Sequence, residues 1–186
     1  DMPKGVQLVY WDYYHDDVEF YEQFIDRHRR FGSDPVFAGG VWIWGTMVPQ
    51  YPKTYATANA ALTACKRKGI KEAFATMWGD NGQETNVYNA LLGLQLFAEH
   101  GYAEELDEEK LDRRVRFCVG PSAEAFKDLS RPDRPANIDL HPNYVTNLTK
   151  WLLWQDPLIG LFDRHAADMD LTGHFPAIAE RMARYQ

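Results

Sequence analysis

Three short apolar, β-branched and aromatic stretches recur at intervals of about 30 residues, and each leads into a helical pattern. The strand-like stretches begin near residues 6, 36 and 70. One strand plus one crossover helix occupies that length, so the spacing restricts this half of the chain to folds built on parallel strands.

The first strand is expected over Val6–Asp12, and Asp16 and Asp17 offer N-cap chemistry for the helix that follows. In that helix Phe20, Tyr21, Phe24, Ile25 and Phe31 recur at helical spacing before Gly32. The second strand is expected over Val36–Trp44 (VFAGGVWIW), then a loop with Pro49 and Pro52, then an Ala-rich helix over Thr54–Lys68. Lys66, Arg67 and Lys68 in its last turn suit the helix dipole. The third strand is expected over Ile70–Trp78 (IKEAFATMW), followed by a helix over 84–99. The continuous apolar character of these strands fits a sheet buried on both faces. Three strands close a sheet poorly. They read as three consecutive units of a larger barrel or doubly wound sheet, since a whole eight-unit barrel needs about 250 residues.

From residue 102 onward no strand is expected. Asp107 caps a helix reaching Val119, Gly120-Pro121 break it, and Ser122 starts a short one. Residues 130–143 carry Pro132, Pro135 and Pro142 and read as loop; 144–154, 157–165 and 175–185 read as helical. The expected organisation is therefore α/β: a β/α portion over 1–101 and an α-helical region over 102–186.

Twenty-seven acidic residues against 20 basic give a net charge of −7, which argues against a nucleic-acid partner. No apolar run is long enough to span a membrane. Cys65 and Cys118 make no disulfide framework and are expected as small buried side chains in a reducing, cytoplasmic compartment. No signal-peptide pattern follows Asp1, and with no Met at position 1 the chain reads as cut from something longer. Asp12, His15, Asp16 and Asp17 match no tight ligand spacing, so no metal or cofactor is expected. His28, His100, His141, His165 and His174 stand apart from any ligand pattern and are expected on the surface or in packing. No Gly-x-Ser-x-Gly nucleophile elbow occurs.

The chain is rich in aromatics, and they gather where the strands end. The three ends read Tyr10-Trp11-Asp12, Trp42-Ile43-Trp44 and Trp78-Gly79-Asp80. Residues two apart on a strand share a face, and ligands in parallel α/β folds lie beyond the carboxyl ends of strands. Three segments are thus expected to converge on one mouth with aromatic walls and carboxylates. Flat rings stack on the C–H face of a sugar, and carboxylates accept bonds from its hydroxyls.

The stretches VYWDYYH (9–15), AGGVWIWG (38–45), TMWGDNGQE (76–84), ALLGLQLFAE (90–99) and WLLWQDPLIGLFD (151–163) resemble glycoside hydrolase family 20, and within it a bacterial N-acetyl-β-D-glucosaminidase subgroup. The resemblance implies the last three units of a (β/α)8 barrel followed by a helical region. It also implies a β-N-acetylhexosaminidase acting on terminal N-acetyl-hexosamine by substrate-assisted catalysis, outside the usual two-carboxylate scheme. By that resemblance Tyr10 hydrogen-bonds the acetamido oxygen and Asp12 is the acidic residue two positions on. Trp78 packs on the acetamido side, Asp80 grips sugar hydroxyls, and Trp42 or Trp44 supplies a pocket aromatic. The family's Asp-Glu acid/base pair ends no strand here. The chain alone is therefore expected to be inactive and to need the rest of the barrel as partner. A non-catalytic sugar-binding or scaffold domain, a subunit completing a partner's barrel, and a homodimer stay open.

Overall fold

A computed structural model describes residues 3–185. Strands β1 (Val9–Trp11), β2 (Val36–Gly40) and β3 (Ala73–Thr76) form one parallel sheet in the order β1-β2-β3. Tyr10 lies opposite Phe37, and Ala38 lies between Trp11 and Phe74. The parallel α/β reading therefore holds, but each strand is shorter than its apolar run. In β2 the chain turns after Gly40: Ile43 N bonds back to Val41 O at 2.9 Å, and Thr54 Oγ1 takes Trp42 N at 2.9 Å. Before β3, Ile70 N closes the end of the preceding helix by bonding Cys65 O at 2.9 Å.

Helix α1 (Val18–Arg29) is capped by Asp17, whose Oδ1 accepts from Phe20 N, and it buries Tyr21 and Ile25. Helix α2 (Tyr51–Arg67) starts before Thr54 because Pro52 falls in its first turn, where a missing N–H is no loss. Ser130 Oγ, reaching in from the helical half, holds Tyr51 N at 2.9 Å. Helix α3 (Leu91–Tyr102) lies later than the expected 84–99, because Asn86 caps a tighter 3-10 turn over Val87–Ala90 instead. Helices α4 (Glu108–Val119) and α5 (Ala123–Asp128) carry the Asp107 and Ser122 caps read from sequence.

The last three helices differ most from expectation. Helix α6 (Leu148–Trp154) begins after residue 144 because Arg134 draws Leu140 and Tyr144 carbonyls into a loop. Helix α7 (Asp163–Ala166) is one turn long, since Asp156 bonds Leu158 N and folds residues 156–160 into turns. Helix α8 (Leu171–Met182) starts earlier than 175, with Asp170 as its cap.

Helices α1–α3 cover one face of the sheet. A Cβ on Gly39 would lie 2.8 Å from the Phe97 ring of α3, so only glycine lets that helix approach. The opposite face is open: Trp11 is 48% exposed, and Val9 and Phe74 are 43% exposed. The expectation of strands buried on both faces is therefore corrected. The core is continuous across residue 102, joining Tyr10, Tyr21, Phe37, Leu96, Leu111, Val115 and Phe126. Cys65 is buried in it, and burial pushes its thiol up to about 12. Cys118, expected inside, is exposed, because it falls in the last turn of α4 beyond the buried stretch at Leu111 and Val115. Among the described residues no helix is long and apolar enough to cross a membrane.

Candidate functional site

Strand alternation decides which strand-end residues meet. Tyr10 and Asp12 do share a face, but it is the face under α1. The Tyr10 ring is buried against Phe24, His28 and Phe37, with centroids 4.7–5.9 Å away. Its hydroxyl donates to Asp12 Oδ2 at 3.1 Å. Asp12 is also buried; its Oδ1 accepts from Tyr14 N at 2.9 Å, and its Oδ2 pairs with His15 Nδ1 at 2.8 Å. The chain's own donors thus occupy this carboxylate. It pins the turn 13–15, and the sugar-facing places expected for Tyr10 and Asp12 are not where these side chains sit.

Trp11 points the other way. It stacks on Trp78 across the open face, with centroids 5.3 Å apart and planes at 27°, and Phe74 meets it edge-on at 6.4 Å. Trp78 is half-buried, and its Nε1 is shielded from solvent with no hydrogen-bond partner. Asp80 is exposed just beyond, on the loop that follows β3. The structure therefore brings Trp78 and Asp80 to the carboxyl end of the sheet together with Trp11, which the motif reading passed over. Its signal was present: on a strand with Tyr10 and Asp12 turned toward helices, the residue between them faces the opposite side.

Tyr13 is the second residue missed. It lies past the end of β1, where sequence spacing gives no direction. Its ring meets Trp42 and Trp44 edge-on at 5.5 and 5.2 Å. A Cβ on Gly40 would come within 2.9 Å of Trp44 and 3.0 Å of Tyr13, so glycine is required where both rings close over β2. Burial pushes the Tyr13 hydroxyl up to about 12, and the neighbouring Tyr14 and the Asp80 charge add to this. Trp42 and Trp44 stack on each other at 4.2 Å and are both buried. Trp42 donates Nε1–H to Tyr13 O at 3.0 Å and lies under the Lys53 ammonium at 4.3 Å. This pair supports Tyr13 from below.

The helical half docks on the same end of the sheet. Asn143 donates to Tyr14 O at 2.7 Å. Asp133, fully buried, accepts from Gln50 Nε2 at 3.2 Å and Thr149 N at 2.8 Å, and burial raises its pKa. Lys150 Nζ reaches Asn81 O at 2.9 Å and Glu84 Oε1 at 2.7 Å on the loop that carries Asp80. Residues 124–186 match the model described as the Glycoside Hydrolase 20C C-terminal domain. That stretch, 63 of the 186 residues, is similar to the C-terminal domain of glycoside hydrolase family 20. No curated protein matches it at a significant level.

The matched family 20 domain contains Asp133, Asn143 and Lys150, the residues that reach back to the sheet end. Asp128 anchors it from within: this buried carboxylate pairs with Arg131 and Arg181 and accepts from Tyr185, and these partners hold it ionised below the usual range. The histidines expected in packing or at the surface are placed accordingly. His28 stacks on Tyr10, His174 donates to Pro132 O at 3.1 Å, His165 sits beside Trp151, and His141 faces Asp16 at 3.6 Å. A cavity of about 750 Å³ lined by Asn89, Phe126 and Met182 includes none of the strand-end residues. The strand-end site is an open, aromatic face beside one free carboxylate.

Proposed function

We propose that this chain supplies the sugar-binding end of an exo-β-N-acetylhexosaminidase that removes terminal N-acetyl-glucosamine or N-acetyl-galactosamine. The stacked Trp11–Trp78 pair beside Asp80, at the carboxyl end of a sheet carrying a family 20 domain, is the observation that carries this reading. In it the sheet is the last three units of a (β/α)8 barrel over residues 1–101, and 102–186 is the helical region behind it. The bare face of the sheet supports this, because parallel sheets are normally covered on both faces.

In the substrate-assisted mechanism the 2-acetamido oxygen of the sugar attacks its own anomeric carbon. The oxygen must be held over that carbon while the leaving group takes a proton. Trp11 and Trp78 offer apolar walls that fix the ring and shield the acetamido methyl. Asp80 accepts from sugar hydroxyls and sets the depth of entry. Tyr13, whose hydroxyl stays protonated far above neutral pH, is the tyrosine placed to donate at this face. Residues 1–186 end no strand with an Asp-Glu pair, and general acid chemistry is worth roughly 100-fold or more in rate. The acid is therefore supplied by strands outside these residues, and the isolated chain is inactive.

The lack of that pair also favours a second reading, a sugar-binding module without turnover. The full-length protein separates the two when assayed with aryl N-acetyl-β-glucosaminide and galactosaminide. Hydrolysis with retained anomeric configuration, and a KM raised roughly tenfold or more by Trp11→Ala, are expected from the loss of a stacking wall. Saturable binding of N-acetyl-glucosamine without hydrolysis would transfer the protein to the second reading.

A further inference from the structure

The loop after β3 is held in a conformation that its sequence does not favour by itself. Asn81 and Gln83 both have positive φ, 61° and 52°, and neither is glycine. Asp80, the one free carboxylate at the sheet end among the described residues, opens this loop. Its hold on the rest of the β/α half is slight: Gly45 N meets Asp80 O at 3.3 Å, and Thr85 Oγ1 donates to Thr46 O at 2.8 Å. The stronger hold comes from α6. Lys150 spans the loop, donating to Asn81 O at 2.9 Å and pairing with Glu84 Oε1 at 2.7 Å. The pair is well shielded, with the Lys150 side chain 20% and the Glu84 side chain 13% exposed. Among the described residues the shielded Glu84 oxygens have no hydrogen-bond partner that would replace it.

We propose that Lys150 is a positioning residue of the sugar site: from the helical domain it latches the 80–84 loop and so fixes Asp80 where substrate hydroxyls must meet it. This rests on the reading of Asp80 as a sugar-binding carboxylate. It gives the family 20 C-terminal domain a part in recognition, since the latch lies inside the matched stretch. Without the ammonium, Glu84 is a shielded carboxylate with no counter-charge, and an unpaired charge of that kind turns outward or opens its surroundings. The loop then relaxes from its positive-φ conformation and carries Asp80 with it.

The test is steady-state kinetics of the full-length protein on an aryl N-acetyl-glucosaminide, with amide hydrogen exchange over residues 79–86. Lys150→Met is expected to raise KM roughly tenfold while kcat changes less than threefold, and to speed exchange in the loop. Glu84→Gln added to it is expected to restore part of KM, because the orphaned charge is gone. A variant that merely folds poorly would lower the active fraction and leave KM in place. Asp80→Asn run alongside separates the two readings. If Asp80→Asn raises KM and Lys150→Met leaves KM and loop exchange at wild-type values, the latch is wrong and the site stands. If the wild-type protein neither hydrolyses the glycoside nor responds at Asp80, the site itself is wrong and the latch falls with it.

Discussion

Replacing Tyr10 by Phe removes one oxygen and tests strand parity directly. The Tyr10 hydroxyl is buried, its ring is enclosed by α1 and β2, and its one partner among the described residues is Asp12 at 3.1 Å. Burial, then the Asp12 charge, pushes the phenol far above its usual range, so it donates at every accessible pH. Deletion leaves Asp12 with Tyr14 N on one oxygen and His15 on the other. No donor is orphaned, the carboxylate keeps two partners, and the ring still fills its place. A hydrogen bond to a charged group is worth about 1.5–3 kcal/mol when lost, and the surviving partners bring the expected loss to about 1–2 kcal/mol. For a protein of this size that lowers the melting temperature by about 2–8 °C. Turnover of an aryl N-acetyl-glucosaminide by the full-length protein should stay within roughly threefold, since no substrate meets a hydroxyl under α1. A fall in kcat of roughly 100-fold with no change in melting temperature would refute this reasoning. It would put Tyr10 back on the acetamido oxygen, as the motif resemblance has it.

Two further outcomes follow from packing and burial. His100 is buried, with Nε2 at 2.8 Å from Asn59 Oδ1 and Nδ1 unpartnered, and burial pushes it down to about 4. Its stability contribution is complete above about pH 6.5, where the unfolded imidazole is neutral too, and declines as pH falls from there to about 4, by at most about 3 kcal/mol. Urea melts across that range should show the slope, and His100→Gln should flatten it; an unchanged slope would assign it to other groups. Gly93→Ala places a methyl into Val41 Cγ1 where α3 packs on the residue just after β2. It should cost about 1–3 kcal/mol by overpacking, and a melting temperature at or above wild type would show that α3 shifts freely.

The parallel units were legible because a period near 30 residues and continuous apolar runs are set by local chemistry. Caps at Asp17, Asp107 and Ser122 were legible for the same reason. Strand ends were not, since bonds to helix α2 end the apolar runs early: Thr54 takes Trp42 N, and Cys65 O takes Ile70 N. The helices of the last third were legible but their bounds were not, where charged side chains, Arg134 and Asp156, compete with helical bonding for nearby backbone groups. At the site, alternation correctly grouped Tyr10 with Asp12. It could not say which face of the sheet the helices would take, and that choice decides between Tyr10 and Trp11.

That choice has an energetic consequence beyond one residue. Val9, Trp11, Phe74 and Met77 are all more than 40% exposed on or beside the uncovered side of the sheet. At about 25 cal/mol per Å² of apolar surface, covering one such side chain is worth about 1.5–3 kcal/mol, so leaving all of them wet forgoes several kcal/mol. A parallel sheet with one bare aromatic face and two unpaired edges is also a template for association. On the proposed reading Trp11 and Trp78 are sugar walls, and a ligand surface has to stay uncovered. Val9 sits one row further from the strand ends, Phe74 lies level with Trp11 across Ala38, and both need cover. On the proposed barrel reading that cover would come from the facing strands, which pack side chains in layers across the interior.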